Sequence, residues 1–371
     1  MVRHLKLGII AGLFVLTTCI DPVEFDTSSE PSRLVVQGYI SDVPAKNRET
    51  GGDESPYFKV KLSLSSPVSN IRDHPIKDAT VMLLDDQENQ QELTPSFDGE
   101  YFLYDEDFKA VEGRSYFIRI STADGNVYES QPQRLQKSLP TGPAKYRIDS
   151  RLNLVEISDQ SEVVTLEGIS VYVDLPQNSS QEPVYYLWEL VPAWIFKASL
   201  LPDGHPNKTC WVTNIYYLDE VVIHQDKFGQ GNYPKELFFL EAETNTRLQY
   251  DFSVLIRQFS LNKETFEFWE DIKKQNERVG SIFDPPPFSI RGNLFNVNYP
   301  DDRVLGYFSV VGESTQRWFT NIRELPYRLP NIDPCRSPPG VPNIPSPDCL
   351  DCFRYRGGSS YIINVEPSWW R

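Results

Sequence analysis

The residues best equipped for covalent chemistry are five cysteines, and their settings give them different roles. Cys19 ends the run Leu16-Thr17-Thr18-Cys19, behind an apolar stretch at residues 7–15 that follows Arg3, His4 and Lys6. A basic start, an apolar run too short to span a bilayer and small residues before a cut are the parts of a secretory leader. With cysteine at the cut, the thiol is the acceptor for lipid. Residues 1–18 are therefore expected to be a lipoprotein signal peptide, and acyl chains on Cys19 to hold the mature chain on a membrane. Each buried methylene contributes about 0.8 kcal/mol to that hold. Cys210, Cys335, Cys349 and Cys352 remain, an even number in an oxidising compartment. They read as two structural disulfides with three possible connectivities. Cys349-Leu350-Asp351-Cys352 has the spacing of half a zinc knuckle or of a redox pair. A zinc site wants a second close pair, and a redox motif wants a strand before it and a helix after. Neither context is present, so no metal and no cofactor are expected.

Other catalytic patterns fail on inspection. Nucleophilic catalysis needs a base beside the nucleophile, and the mature chain has only His74, His205 and His224, in polar or loop settings. Gly312-Glu313-Ser314-Thr315-Gln316 lacks the last glycine of a nucleophile elbow and reads as a surface turn. Gly229-Gln230-Gly231 begins like a dinucleotide fingerprint and loses its final glycine. A glycosidase needs only two carboxylates, about 5–10 Å apart, and 52 acids single out no pair. Asp85-Asp86 and Asp105-Glu106-Asp107 lack the spacing of a calcium loop and read as solvated turns. Tyr185, Trp188, Trp369 and Trp370 offer ring faces for a sugar or a partner, or else fill the core. The net charge of −16 becomes −18 once Arg3 and Lys6 leave with the leader. Such a surface repels phosphate backbones, so nucleic acid is excluded as a partner. The expectation is a binding protein, not an enzyme.

The elements that must carry these residues are mostly strands. The 29 prolines, 13% aromatic residues and only two methionines favour sheet and loop. After Cys19, residues 19–32 hold Asp21, Glu24, Asp26 and Glu30 with little apolar pattern, an acidic tether. Period-two alternation then starts at residues 34–40 and recurs at 58–64, 79–84, 101–104, 116–120 and 127–130. Asp98-Gly99 and Asp124-Gly125-Asn126 supply turns between them. The reading is mainly β: an N-terminal Ig-like or prealbumin-like β-sandwich over residues 33–139, followed by a second β-rich domain carrying one amphipathic helix. Leu139-Pro140-Thr141-Gly142-Pro143 marks the break, and residues 144–371 form the second domain with cysteine-stapled C-terminal loops. Further strands are expected at 169–173, 185–190 and 250–259. The helix is expected at about 263–279, with Asn262 as N-cap and Gly280 closing it. Leu261 and Phe266 sit at staple positions, and Phe266, Trp269 and Ile272 form the apolar face. No stretch reads as a membrane span, since residues 184–201 contain Glu189, Pro192 and Lys197.

One region is more specific than composition. Phe266-Glu267-Phe268-Trp269 is followed by Gly280-Ser281-Ile282-Phe283-Asp284-Pro285-Pro286-Pro287, Arg291-Gly292-Asn293-Leu294-Phe295-Asn296-Val297 and Val304-Leu305-Gly306-Tyr307-Phe308-Ser309. Together with Cys19-Ile20-Asp21-Pro22 and the late Cys349-x-x-Cys352, the pattern resembles the domain-of-unknown-function 4249 family. The resemblance implies an envelope lipoprotein of Bacteroidota type, of a kind often encoded beside TonB-dependent outer-membrane receptors. It transfers no catalytic residue. Acids soon after the lipidated cysteine resemble a surface-export signal there, which favours the cell surface over the periplasmic face of the outer membrane. The expectation is an accessory subunit of a TonB-dependent transporter that aids capture or uptake of small-molecule, peptide or glycan cargo. The alternatives are a structural or adhesion module of the envelope, and a surface carboxylate-dependent glycosidase or peptidase. In physical terms the glycines suit close backbone approach, and the prolines an extended segment.

Overall fold

A computed structural model describes residues 32–65, 74–157, 160–179, 181–227, 233–242, 245–277, 288–327, 335, 345–356 and 361–370. The leader, Cys19, almost all of the tether, Gly280 and the triple proline lie outside the described residues. No helix among the described residues is long and apolar enough to cross a membrane.

The chain is mainly β, as the alternation requires. Strands Leu34–Ser41, Phe58–Leu64 and Glu100–Leu103 pair side by side as one leaf of a first sandwich. Thr80–Asp85, Ser115–Ser121 and Val127–Ser130 form the other. Gln90–Pro95 pairs with both leaves and carries the sheet around the corner. Val36, Val60, Leu62, Val81, Ile118 and Ile120 point inward, every second residue of their strands. Tyr101 lies among them with its hydroxyl satisfied, donating to the Ile76 carbonyl and accepting from the Ala79 amide, both at 3.0 Å.

The first sandwich is completed from far along the chain. Leu294–Asn296 adds to the edge at Val127–Ser130. Leu305–Asn321 begins parallel to Leu34–Ser41, and Phe308 and Val310 enter the first core. Strands from both sides of the proline break at 139–143 thus share one hydrogen-bonded network. Parallel pairing needs a long crossover, and the intervening chain supplies it, so no local pattern marks residues 294–311 as part of the first sandwich. The Arg291-Gly292-Asn293 motif explains itself here. The Asn293 amide donates to the Phe308 carbonyl at 2.8 Å and its oxygen accepts from the Phe308 amide at 3.0 Å, standing in for a strand neighbour. Gly306 has φ +89°, and a Cβ there would lie 1.9 Å from the Val36 carbonyl oxygen. Gly306→Ala is expected to cost roughly 2–3 kcal/mol, from strain and clash together, read as a lowered urea midpoint.

The same long strand then enters a second sandwich. Its later half pairs antiparallel with Asp251–Leu261, which pairs in turn with Val184–Lys197. Thr209–Thr213, Val222–Asp226 and Tyr361–Ile363 extend that leaf. The facing leaf is a three-stranded sheet of Lys145–Ile157, Gln160–Leu175 and Tyr233–Glu241. Ile169, Val171, Trp188, Trp194, Phe252 and Trp318 fill the space between the leaves. Gly312–Gln316, expected as a surface turn, is strand interior. Gly312 packs against the Ser138 backbone and Glu313 is buried, because the strand is covered on both faces and needs no polar alternation.

His224 of this second leaf sits against the Tyr233 hydroxyl, and burial, helped by Lys235, depresses its imidazole to about 4. A histidine depressed in the fold stabilises the fold above its ordinary value and loses that contribution as pH falls towards the folded value. Acidification from pH 6.5 to 4 is therefore expected to remove about 2 kcal/mol, after discounting for partial exposure. His224→Phe should flatten that part of a stability–pH curve.

Candidate functional site: a cleft on the back of the shared sheet

Four neighbouring strands, Leu34–Ser41, Leu305–Asn321, Asp251–Leu261 and Val184–Lys197, run through both sandwiches as one sheet. Their even-numbered residues face the two cores. Their odd-numbered residues face the other way: Tyr39, Leu187, Glu189, Phe259, Leu261, Tyr307 and Val311. A single sheet with two sandwiches on one face leaves this second face to be covered by something else. The helix and two loops do so.

The helix, Lys263–Asn276, starts where the sequence indicates. The Asn262 side chain accepts from the Thr265 amide at 2.8 Å, and Leu261 and Phe266 meet in one apolar cluster. Glu264 lies in its first turn and Lys273 and Lys274 in its last, complementary to the helix dipole. Its apolar side meets the sheet face, with the Tyr185 and Phe266 rings 4.9 Å apart. Phe268, Trp269 and Ile272 continue beyond that contact and wall a cleft of ≈ 750 Å³. The opposite wall is residues 215–221, where Ile215 and Tyr216 are exposed. The floor is the odd face of the sheet. The volume falls in the range of small-molecule sites, roughly 300–1,000 Å³. The lining is mainly carbon and rich in rings: Phe268 and Tyr307 lie 4.6 Å apart, Phe268 and Trp269 5.8 Å.

The loop at residues 42–56 covers the rest of the odd face and brings charge with it. Arg257, 1% exposed, donates to both carboxylate oxygens of Glu54, to Glu189 at 3.2 Å and to the Glu49 carbonyl at 3.1 Å. Arg317 pairs with Glu49 and donates to the Thr50 carbonyl. Arg48 reaches Glu313 at 3.5 Å, donates to the Pro56 carbonyl and pairs with the Tyr39 hydroxyl. Glu313 also accepts from Ser41 at 2.5 Å. Three guanidiniums thus meet four carboxylates on one sheet face. Burial pushes the Tyr39 phenol up, with Glu313 adding to it, so it stays neutral and serves as a hydrogen-bonding group.

Glu189 stands where cluster and cleft meet. It lies directly across the strands from Arg257, lines the cleft, and is 43% exposed. Burial raises its carboxyl above the usual range. Arg257 works against that rise, while Glu54 and Glu313 reinforce it.

The aromatic residues singled out in the sequence fall elsewhere. Trp188, 2% exposed, is a core residue whose indole donates to Gln258 at 3.1 Å, so its ring face is not offered to a partner. Tyr185 is held beneath the helix. Trp370 packs edge-on against Phe319, and Trp369 lies under the Arg317 guanidinium at 3.7 Å, so both serve to dock the C-terminal tail. The four cysteines pair as Cys210–Cys352 and Cys335–Cys349. Among the described residues no group of three His, Cys, Asp or Glu side chains is placed to hold a metal.

The fold and this site define a class: a β protein of two sandwiches on a shared sheet, with a ring-lined cleft on that sheet's back. The chain belongs to the family described as Domain of unknown function (DUF4249), whose model matches residues 20–317. Every described residue that lines the cleft lies inside that match. No curated protein matches the chain.

Proposed function

We propose that this protein is a lipid-anchored outer-membrane binding protein, not an enzyme, and the accessory subunit of a TonB-dependent transporter. The observation that carries the reading is the cleft. A ring-lined hollow of this size, left open between a helix and a sheet that is covered elsewhere, is a site for cargo. The expected anchor at Cys19 would hold that site near the membrane, on the cell-surface side.

The partner half of the reading is supported by a second surface. The hairpin of Lys145–Ile157 and Gln160–Leu175 extends past the last residue paired with its neighbour Tyr233–Glu241. On that stretch Leu152, Leu154 and Val163 are 76%, 64% and 60% exposed. Apolar side chains grouped so far from a core mark an interaction surface.

The test is purification of the native lipidated protein from its own membranes in mild detergent. A TonB-dependent receptor is expected to accompany it, with acyl chains on Cys19 by mass spectrometry. Leu152→Asp with Leu154→Asp should release the receptor while leaving thermal stability intact. Recovery of the protein alone would remove the partner claim, and an unmodified Cys19 would remove the anchor.

A further inference from the structure

We infer that the cleft takes a ligand with an apolar body and one cationic head, an aryl- or alkylammonium compound. The inference rests on the reading of the cleft as a binding site and adds the chemistry of what fills it.

Three features point the same way. First, among the described residues no lysine, arginine or histidine lines the cleft, whereas Glu189, Asp219 and Glu220 do. A carboxylate or phosphate ligand would meet only like charge there. Asp219 and Glu220 are exposed and act at the rim, leaving Glu189 as the acid on the sheet floor of the cleft.

Second, Glu189 shares its cation with another carboxylate. Arg257 donates to Glu189, and also to both oxygens of Glu54 and the Glu49 carbonyl. With Arg48 and Arg317 engaged by Glu313 and Glu49, the cluster of three guanidiniums and four carboxylates keeps one negative charge in excess. Of the four carboxylates, Glu189 alone lines the cleft. Desolvating an uncompensated charge is unfavourable, and a cationic ligand seated here supplies the missing counter-charge.

Third, the walls are ring faces. Phe268 lies within stacking distance of both Trp269 and Tyr307. Aromatic faces attract an ammonium group through their quadrupole, and more strongly when water is displaced. Apolar walls, an aromatic lining and a single acid on the floor together select an amphipathic cation over a neutral or acidic molecule of the same size.

The experiment uses two matched sets of probes, titrated calorimetrically into the full mature lipidated protein in nanodiscs, with empty nanodiscs as blank. One set is phenethylamine, 2-phenylethanol and phenylacetate. The other is 1-naphthylmethylamine, 1-naphthalenemethanol and 1-naphthoate. In each set the amine is expected to bind about tenfold tighter than the alcohol, and the acid weakest. Glu189→Gln keeps shape and hydrogen bonding but not charge. It should bring the amine down to the level of the alcohol and leave the alcohol unchanged. Asp219→Asn with Glu220→Gln should move the amine by less than threefold. An acid that binds as well as its amine, or an amine preference that survives Glu189→Gln, overturns the inference while leaving a binding cleft. If none of the six probes binds, the cleft is not a binding site, and the proposed function falls with it.

Discussion

Arg257→Ala is expected to destabilise the protein by about 3–5 kcal/mol, the largest effect of any single side chain on the shared sheet. The guanidinium is 1% exposed and holds Glu54 through both oxygens, Glu189 and the Glu49 carbonyl. Its removal strands Glu54 with no cation at that position and releases the loop at residues 42–56 from the sheet. Urea denaturation would measure this as a lower midpoint. A second result separates charge from packing. Arg257→Met combined with Glu54→Leu should recover a large part of the loss, since apolar replacement of a whole buried pair is often neutral. Glu189→Gln is expected to behave in the opposite way. A carboxyl whose folded value is raised contributes most when protonated, so its charge at neutral pH detracts from stability, and stability gains as pH falls towards the ordinary value near 4.5. The amide should therefore fold at least as stably as the wild type. A charge that the fold does not favour is one that a ligand can use.

Cys352→Ser is expected to remove about 5 kcal/mol, because the Cys210–Cys352 bridge closes a separation of 142 residues. Cys349→Ser should cost less, about 3 kcal/mol, for a separation of 14. The longer bridge also has the more structural location. Cys210 lies in Thr209–Thr213, which pairs both with Val184–Lys197 and with the late strand Tyr361–Ile363. Ala198, Cys210 and Cys352 form a small buried cluster of their own, so the serine variant also loses packing at the sheet edge. Denaturation with and without reductant would show whether the order of the two variants holds. Equal effects would mean that loop length does not govern the stabilisation.

Much of the architecture was legible, for reasons that differ by element. Phe58–Leu64 and Val127–Ser130 have the boundaries their alternation predicts, since each has one face on a core and one towards water. The helix starts at Lys263 because Asn262, Leu261 and Phe266 carry capping information locally. It ends at Asn276, a little short of the expected 279. Gln90–Pro95 went unread because only Leu93 of that strand is buried. Leu305–Asn321 is partly legible: Gly306 signals a close approach, but a strand covered on both faces shows no alternation, and the later half reads as a turn.

The candidate site was harder to see. Glu189 was conspicuous only as a charge inside an apolar run, and Arg257 likewise within 250–259. The pairing that gives both their meaning comes from strand register, at a separation of 68 residues. Phe266, Trp269 and Ile272 read as one packing face; Phe266 and Trp269 do pack on the sheet, and Trp269 and Ile272 also wall the cleft. The cleft exists because the helix continues past the point where the sheet face is filled, which no local pattern encodes.

The central claim is that the space between the helix and residues 215–221 holds a ligand. Hydrogen–deuterium exchange on the mature protein, with and without saturating 1-naphthylmethylamine, tests it most directly. Slower exchange is expected at residues 215–221 and 263–276, with residues 145–157 unchanged. Exchange that is unaltered at both walls, or slowed only at a distance from them, would contradict it.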